Sequence, residues 1–248
     1  MNHIVLGLIQ GLTEFLPISS SGHLTLFSYL FNIEPKISNF AFLHLATLAA
    51  IIIFVWKEIV EILKGLFTLK KEYYSLVLKI IISTIPAAIF GVLFNSTIEN
   101  SFSNLKIISF FFLVTAASLF VSDKLKGKKD FFNISYIDAL VIGLFQMIAI
   151  FPGISRSGIT LFGALTVGLE REKALKYSFL MGIPVILGAG ILETSKIELN
   201  SYILISGLVA FLSGLLSLLI LKKLTISKKL KIFSYYCILI AIIAFFVG

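Results

Sequence analysis

Two short polar runs interrupt apolar stretches of this sequence, and they hold most of the residues able to do chemistry. The first is Gln10-Gly-Leu-Thr-Glu14 followed by Phe-Leu-Pro-Ile-Ser19-Ser20-Ser21-Gly22-His23. The second is Pro152-Gly153-Ile-Ser155-Arg156-Ser157-Gly158-Ile-Thr160. In each, proline or glycine precedes serines and then a helical run, the pattern of a helix N-terminus with serines near its cap. Unpaired backbone N–H groups and the positive dipole end favour an anion there. Arg156 adds a guanidinium that can grip phosphate oxygens in bidentate fashion, and Ser155, Ser157 and Thr160 offer further donors. Two such ends facing each other suit a phosphate.

The first run supplies acid–base groups. Gln10 and Glu14 are four apart and share a helix face. Ser20 and His23 are three apart and share one as well, which suggests a nucleophile and its proton acceptor. His23 can alternatively protonate a leaving group. Serines at a break are usually caps and nothing more, so the catalytic reading rests on Glu, Ser, His and Arg converging.

The elements that carry these runs follow from composition. Of 248 residues, 58% are hydrophobic and 14% charged, against about 45–50% apolar and about 25% charged in soluble domains. Mean hydropathy is +1.03. A soluble chain of this size cannot bury so much apolar surface. The expectation is an all-α integral membrane protein forming a single membrane domain over 1–248. Disorder, a nucleic-acid-binding domain and a disulfide scaffold are excluded, and Cys237 is the one cysteine. Continuous rather than alternating apolar runs argue against a β-barrel. The start of the chain lacks a basic region and a small-residue cleavage site, so no removable signal peptide is expected.

Six stretches, 38–56, 75–94, 104–122, 173–193, 201–221 and 231–247, are long enough to span a bilayer. Residues 1–31 and 136–170 are each broken by one of the polar runs. Irregular backbone is tolerated in lipid only where protein buries it or it lines a wet cavity, so both are expected to be re-entrant hairpins of two half-helices. Lysine placement supports this layout. Loops assigned to one face hold 16 of the 21 basic residues, while the other face holds Lys36, Lys106 and Lys196. Lys79 can snorkel, and Arg156 remains inside. The basic face is expected to be cytoplasmic and both termini extracytoplasmic.

The hairpins repeat. Gly7–Gly22 and Gly143–Gly158 are identical at 8 of 16 positions at an offset of 136. Three intervening spans would invert the second copy, giving repeats over 1–122 and 136–248 whose tips meet near the midplane, the usual address of a site in such proteins. An arginine there costs at least about 2.5–3.5 kcal/mol, which favours function over the structural alternative, an ion pair of Arg156 with Glu14. Other polar residues have plainer expected roles. Helix packing is expected for His44 and Thr47, with support of the site second. Asp138 heads a half-helix, where a carboxylate suits the dipole. Pro86 and Pro184 are expected to kink their spans. The Gly207 and Gly214 face suggests a surface for a homodimer.

The two runs together resemble the signatures of the bacitracin-resistance undecaprenyl-diphosphate phosphatases. Gln10 through His23 is similar to that family's (E/Q)xxxE motif and the Ser…Gly-His stretch after it, with Gln10 where the family has Glu or Gln. Pro152 through Thr160 matches PGxSRSxxT at every fixed position. The resemblance covers the whole chain. It implies hydrolysis of undecaprenyl diphosphate to undecaprenyl phosphate and inorganic phosphate, which recycles the lipid carrier of cell-wall polymers and confers bacitracin resistance. It also implies a divalent cation, Mg2+ or Ca2+, at Glu14 and Gln10, and a site open to the outer face of the bacterial cytoplasmic membrane. The expected catalytic residues are Glu14, Ser20, His23 and Arg156. The expected substrate contacts are Gln10, Ser21, Gly153, Ser155, Ser157 and Thr160. The competing reading is a transporter that flips undecaprenyl phosphate, since inverted repeats with broken helices also build transporters.

Overall fold

A computed structural model describes residues 2–31, 37–194 and 200–248. Lys36 and Lys196, two of the three basic residues expected on the outer face, lie outside them. Apart from one bridge between Lys129 and Leu169, the regular structure of the described residues is helical.

Each polar run separates two short helices. The first pair is α1 (Asn2–Phe15) and α2 (Ser20–Leu30). Six elements follow: α3 (Ile37–Phe54), α4 (Trp56–Phe67), α5 (Lys71–Leu93), α6 (Asn95–Phe102), α7 (Leu105–Ser122) and a 3-10 turn at Phe131–Asn133. The second pair is α8 (Tyr136–Ile148) and α9 (Arg156–Thr166), followed by α10 (Arg171–Thr194), α11 (Ser201–Ile226) and α12 (Lys231–Val247). A helix therefore stands at each of the six apolar stretches. Of these, α5, α7 and α11 are long and apolar enough to cross a membrane by length and composition, and shorter apolar helices accompany them. Between the apolar stretches 38–56 and 75–94 the chain is not a plain loop: it forms α4 and the first turn of α5. In α4, Ile59, Ile62, Leu63 and Leu66 recur at helical spacing among lysines and glutamates, a pattern that favours an amphipathic helix.

Caps fix where the half-helices begin. Ser19 accepts from the Gly22 N–H at 3.2 Å, and Ser155 accepts from the Gly158 N–H at 3.2 Å. At the start of α8, Ser135 and Asp138 form a reciprocal capping box, which is how Asp138 meets the helix end.

The exterior is inverted relative to a soluble protein. Along α11, Leu204, Leu208, Leu212, Leu216 and Leu219 are exposed, while Ser206, Gly207, Ala210, Gly214 and Ser217 are buried. An apolar stripe outside and small or hydroxyl residues inside is what a lipid-facing helix needs, because lipid gives apolar side chains no reason to turn inward. The Gly207 and Gly214 face is therefore unavailable to a second copy: a Cβ on Gly207 would meet Phe42, and one on Gly214 would meet Phe15. That part of the sequence reading is corrected.

Helix partners are reciprocal. α1 crosses α11, and α8 crosses α5; α3 packs on α10, and α7 on α12. Small residues make both crossings close. Gly7 and Gly11 lie against the backbone of α11 at Ser206 and Ala210, and a Cβ on Gly143 would fall 2.8 Å from the Ser83 carbonyl oxygen of α5. Hydrogen bonds reinforce them: Ser217 Oγ donates to the Gly11 carbonyl at 2.8 Å, and Gln146 Nε2 donates to the Ser83 carbonyl at 3.2 Å. Pro86, inside α5, lies one turn beyond Ser83. The main buried cluster, with Phe15, Ile18, Leu161, Leu165, Tyr177 and Phe179, surrounds the two breaks.

Candidate active site

The breaks touch. Ser19, at φ 68°, and Gly153, at φ 98°, turn the chain at the two tips, and the Gly153 N–H donates to Ser19 Oγ at 3.0 Å. Gly153 is suited to this conformation because it has no Cβ. A Cβ there would also collide with the Ile108 carbonyl of α7. Ser19 carries its positive φ while its hydroxyl serves N–H groups from both tips, a strained residue held in place by its partners. Thr115 of α7 fixes the second tip: its hydroxyl donates to the Gly153 carbonyl at 2.9 Å and accepts from the Ser155 N–H at 2.9 Å.

Glu14 lies at the centre, its side chain 4% exposed. Its Oε2 accepts from Ser20 Oγ at 2.6 Å and from Gln10 Nε2 at 3.0 Å, and His44 Nε2 of α3 is 3.3 Å away. Its Oε1 accepts from Arg156 Nη2 at 2.7 Å. The carboxylate thus joins the nucleophile candidate of one tip to the guanidinium of the other. Two polar atoms beside it, Gln10 Oε1 and Arg156 Nη1, are buried without a hydrogen-bond partner. Buried polar atoms are normally satisfied, so the pair marks an acceptor and a donor that a ligand can engage. Gly182 of α10 makes room for the guanidinium, since a Cβ there would strike Arg156 Nη1.

Hydroxyls line the second tip. Ser155 Oγ and Ser157 Oγ are 3.2 Å apart. Thr160 Oγ1 donates to the Arg156 carbonyl at 2.6 Å and lies beside Ser178 of α10. Ser21 Oγ is 3.4 Å from Ser19 Oγ.

His23 stands differently from the sequence expectation. Its Nδ1 pairs with the Ser19 carbonyl at 2.8 Å, and its Nε2 pairs with the Tyr236 hydroxyl of α12 at 2.8 Å. Because a carbonyl only accepts, Nδ1 carries the proton and Nε2 receives the Tyr236 O–H. The ring stacks on Tyr236 and meets Phe112 edge-on. Ser20 and His23 share a helix face but not a hydrogen bond; the short Ser20 side chain finds Glu14 across the break instead. The group hydrogen-bonded to Ser20 is therefore the Glu14 carboxylate and not His23.

Residues 3–243 match the family described as bacitracin resistance protein BacA. The chain belongs to this family. It is 98% identical over 248 residues to the undecaprenyl-diphosphatase of Thermosipho africanus (strain TCF52B), covering 100% of each chain. It is 69% identical over 245 residues to the undecaprenyl-diphosphatase of Thermosipho melanesiensis, covering 99% of this chain and 98% of the relative. It is 50% identical over 240 residues to that of Methanococcus maripaludis (strain C6), covering 96% of each.

In this BacA-family chain the structure brings together Gln10, Glu14, Ser20 and Arg156 in direct contact, and sets Ser155, Ser157 and Thr160 along the second tip. His23 and Ser21 stand beside Ser19 rather than at the carboxylate. Sequence reasoning passed over Ser19 except as a cap, and it missed Thr115, Ser178, Gly182 and Tyr236. Thr115 is one of four hydroxyl residues of α7, with Ser109, Ser118 and Ser122, so nothing in its position singles it out, and a single glycine or tyrosine in a span carries no signal either.

Proposed function

We propose that the chain hydrolyses undecaprenyl diphosphate to undecaprenyl phosphate and inorganic phosphate, and so recycles the lipid carrier of peptidoglycan and other cell-wall polymers and confers bacitracin resistance. The observation that carries this reading is Glu14, bonded at once to Ser20 and Arg156. A binding site for a phosphate would need the arginine and the helix ends; a carboxylate on a serine hydroxyl adds the means to activate a nucleophile.

Ser20 Oγ attacks the terminal phosphorus, its proton passes to Glu14 Oε2, and the bond to the bridging oxygen breaks to release undecaprenyl phosphate. The proton on Glu14 passes to the departing undecaprenyl phosphate; water then attacks the seryl phosphate and gives its proton to Glu14, which returns it to Ser20 Oγ as inorganic phosphate leaves. Arg156, the α9 N-terminus, Ser155, Ser157 and Thr160 hold the diphosphate oxygens and stabilise their charge. His23, tied to Ser19 and Tyr236, shapes the turn that presents Ser20. The donor set fits a divalent cation: Gln10 Oε1 is a buried, unpartnered carbonyl oxygen beside a carboxylate, and Mg2+ or Ca2+ takes such hard oxygens together with substrate phosphates. Bound there, the ion would neutralise diphosphate charge.

In the membrane, α3, α5, α7, α10, α11 and α12 are read as spans, and α1–α2 and α8–α9 as re-entrant hairpins of an inverted repeat over 1–122 and 136–248. The reciprocal helix partners support this. The site and both termini then face the extracytoplasmic side and most lysines the cytoplasm. A flippase of undecaprenyl phosphate would use the same repeat but leaves the Ser20–Glu14 contact idle. Phosphate release from undecaprenyl diphosphate by the purified chain in detergent tests the reading, because transport needs a sealed membrane. Arg156→Ala should fold and lose most activity; near-normal turnover would refute the assignment.

A further inference from the structure

Far from the tips, α4 presents an apolar stripe to the outside of the bundle. Trp56, Val60, Leu63 and Phe67 recur at intervals of four, three and four, which puts them on one helix face. Trp56, Leu63 and Phe67 are exposed, Phe67 by 86%. Lys57 and Lys64 lie along one side of the stripe. The opposite face is anchored: Glu58 pairs with Lys176 of α10, and a Cβ on Gly65 would strike the Tyr73 ring of α5. An exposed apolar stripe beside lysines is the pattern of a helix lying in a membrane interface.

The turn from α4 into α5 borders an open cleft of about 400 Å³, lined by Leu69, Lys71, Tyr74, Ser75, Leu78 and Tyr136. Lys71 is the one charged side chain in this lining, so the cleft carries a positive charge and no carboxylate. Ser75 Oγ and the Tyr136 hydroxyl are 3.1 Å apart. Whichever donates, the other keeps a proton for an outside acceptor. α5 begins without a side-chain cap, which leaves its first N–H groups open to an anion. Lys79 Nζ adds a second positive charge 5.8 Å from the Tyr136 ring centroid. The apolar part of the lining continues along the helix: Leu78 begins an exposed row with Ile81, Ile85 and Ile89. A basic, hydroxyl-lined cleft joined to an apolar row offers a seat for a phosphodiester and a track for an acyl chain.

We propose that this cleft binds the headgroup of an anionic phospholipid, with α4 lying in the interface of the same leaflet. The phosphodiester oxygens take the free hydroxyl proton and the Lys71 ammonium. A zwitterionic headgroup brings a cation that no carboxylate in the lining can meet, and this sets the preference for an anionic lipid. The inference goes beyond the hydrolase reading and uses none of its residues.

The test is native mass spectrometry of the purified full chain in mild detergent, titrated with dioleoyl phosphatidylglycerol or dioleoyl phosphatidylcholine. The wild type should retain phosphatidylglycerol at least about fivefold more tightly, the scale of one lysine at an anionic lipid surface. Lys71→Gln should lose most of that preference. Ser75→Ala combined with Tyr136→Phe should weaken phosphatidylglycerol binding without changing the charge. Lys126→Gln, at a lysine that lines a different cavity, should leave the preference as it is. Equal retention of the two lipids by the wild type, unchanged binding in either cleft variant, or an equal loss in Lys126→Gln would overturn the proposal. The wild-type comparison decides independently of how any variant folds. No turnover is involved, so failure here is distinguishable from failure of the hydrolase reading.

Discussion

The Ser20 hydroxyl donates to Glu14 Oε2 at 2.6 Å, across a break that separates them by six residues. A serine is a poor nucleophile until its proton has somewhere to go. Here the acceptor is a carboxylate whose other oxygen is held by Arg156 at 2.7 Å, so the same residue links the proposed nucleophile to the guanidinium proposed to bind the phosphate.

Glu14→Gln keeps the size of the side chain but removes the proton acceptor and the charge facing Arg156. Turnover should fall by about 10²–10⁴, read as the rate of phosphate release. Ser20→Ala should lose a similar amount, and the double variant little more, because residues acting as a unit are not additive. His23→Ala should cost less than either. An equal or larger loss for His23→Ala in single-turnover kinetics would return the base to the histidine.

Gly182→Ala places a methyl group where Arg156 Nη1 lies. The guanidinium must shift, and its bond to Glu14 with it. Activity should drop at least tenfold, roughly the scale on which misplaced groups act, while thermal unfolding in detergent moves little. A variant with wild-type kinetics would show that Arg156 tolerates displacement.

Ser19→Ala deprives the N–H groups of Gly22 and Gly153 of their shared acceptor. A lost cap costs about 0.5–2 kcal/mol, and leaving a buried N–H unsatisfied costs about 1–3 kcal/mol. Unfolding in detergent should therefore show destabilisation of a few kcal/mol, larger than for Ser21→Ala, whose hydroxyl bridges no second tip.

Asp138 provides a pH signature at the mouth of α8. Burial works to raise its pKa, but the Ser135 N–H, Lys129 and the Ser135 hydroxyl outweigh this and hold it below the ordinary value of 3.8. A depressed folded pKa contributes stability that is present above the unfolded value and lost as pH falls through the folded one. Thermal stability should decline below about pH 4, where unfolded aspartate begins to bind protons. Asp138→Asn should remove part of that slope and leave stability near neutral pH lower than wild type.

Local spacing was the legible part of both fold and site. Gln10 and Glu14 were paired from a four-residue interval, and they are bonded. The caps at Ser19 and Ser155 followed from serines after proline and glycine. The same kind of rule failed for Ser20 and His23, because sharing a helix face does not decide which neighbour a hydroxyl reaches. Ser20 opens α2 and lies next to the end of α1, whereas His23 projects toward α7 and α12. The ion pair of Arg156 with Glu14 was set against a functional role in the sequence, and the geometry makes the two compatible: one nitrogen is paired and the other is left for a ligand. Thr115, Gly182 and Tyr236 come from three separate helices. Only packing brings them to the tips, and no interval in the sequence encodes it.

The contact between the tips also constrains how the protein can move. A Cβ on Gly22 would strike the Phe112 ring and come within 3.0 Å of the Gly153 backbone, and one on Gly158 would come within 3.0 Å of the Pro17 ring, so the two turns leave no room between them for larger side chains. Parting the tips would cost the Gly153 N–H its bond to Ser19 Oγ together with these contacts. The tips thus form a keystone, and a route to Glu14 that spares it would run between the surrounding helices.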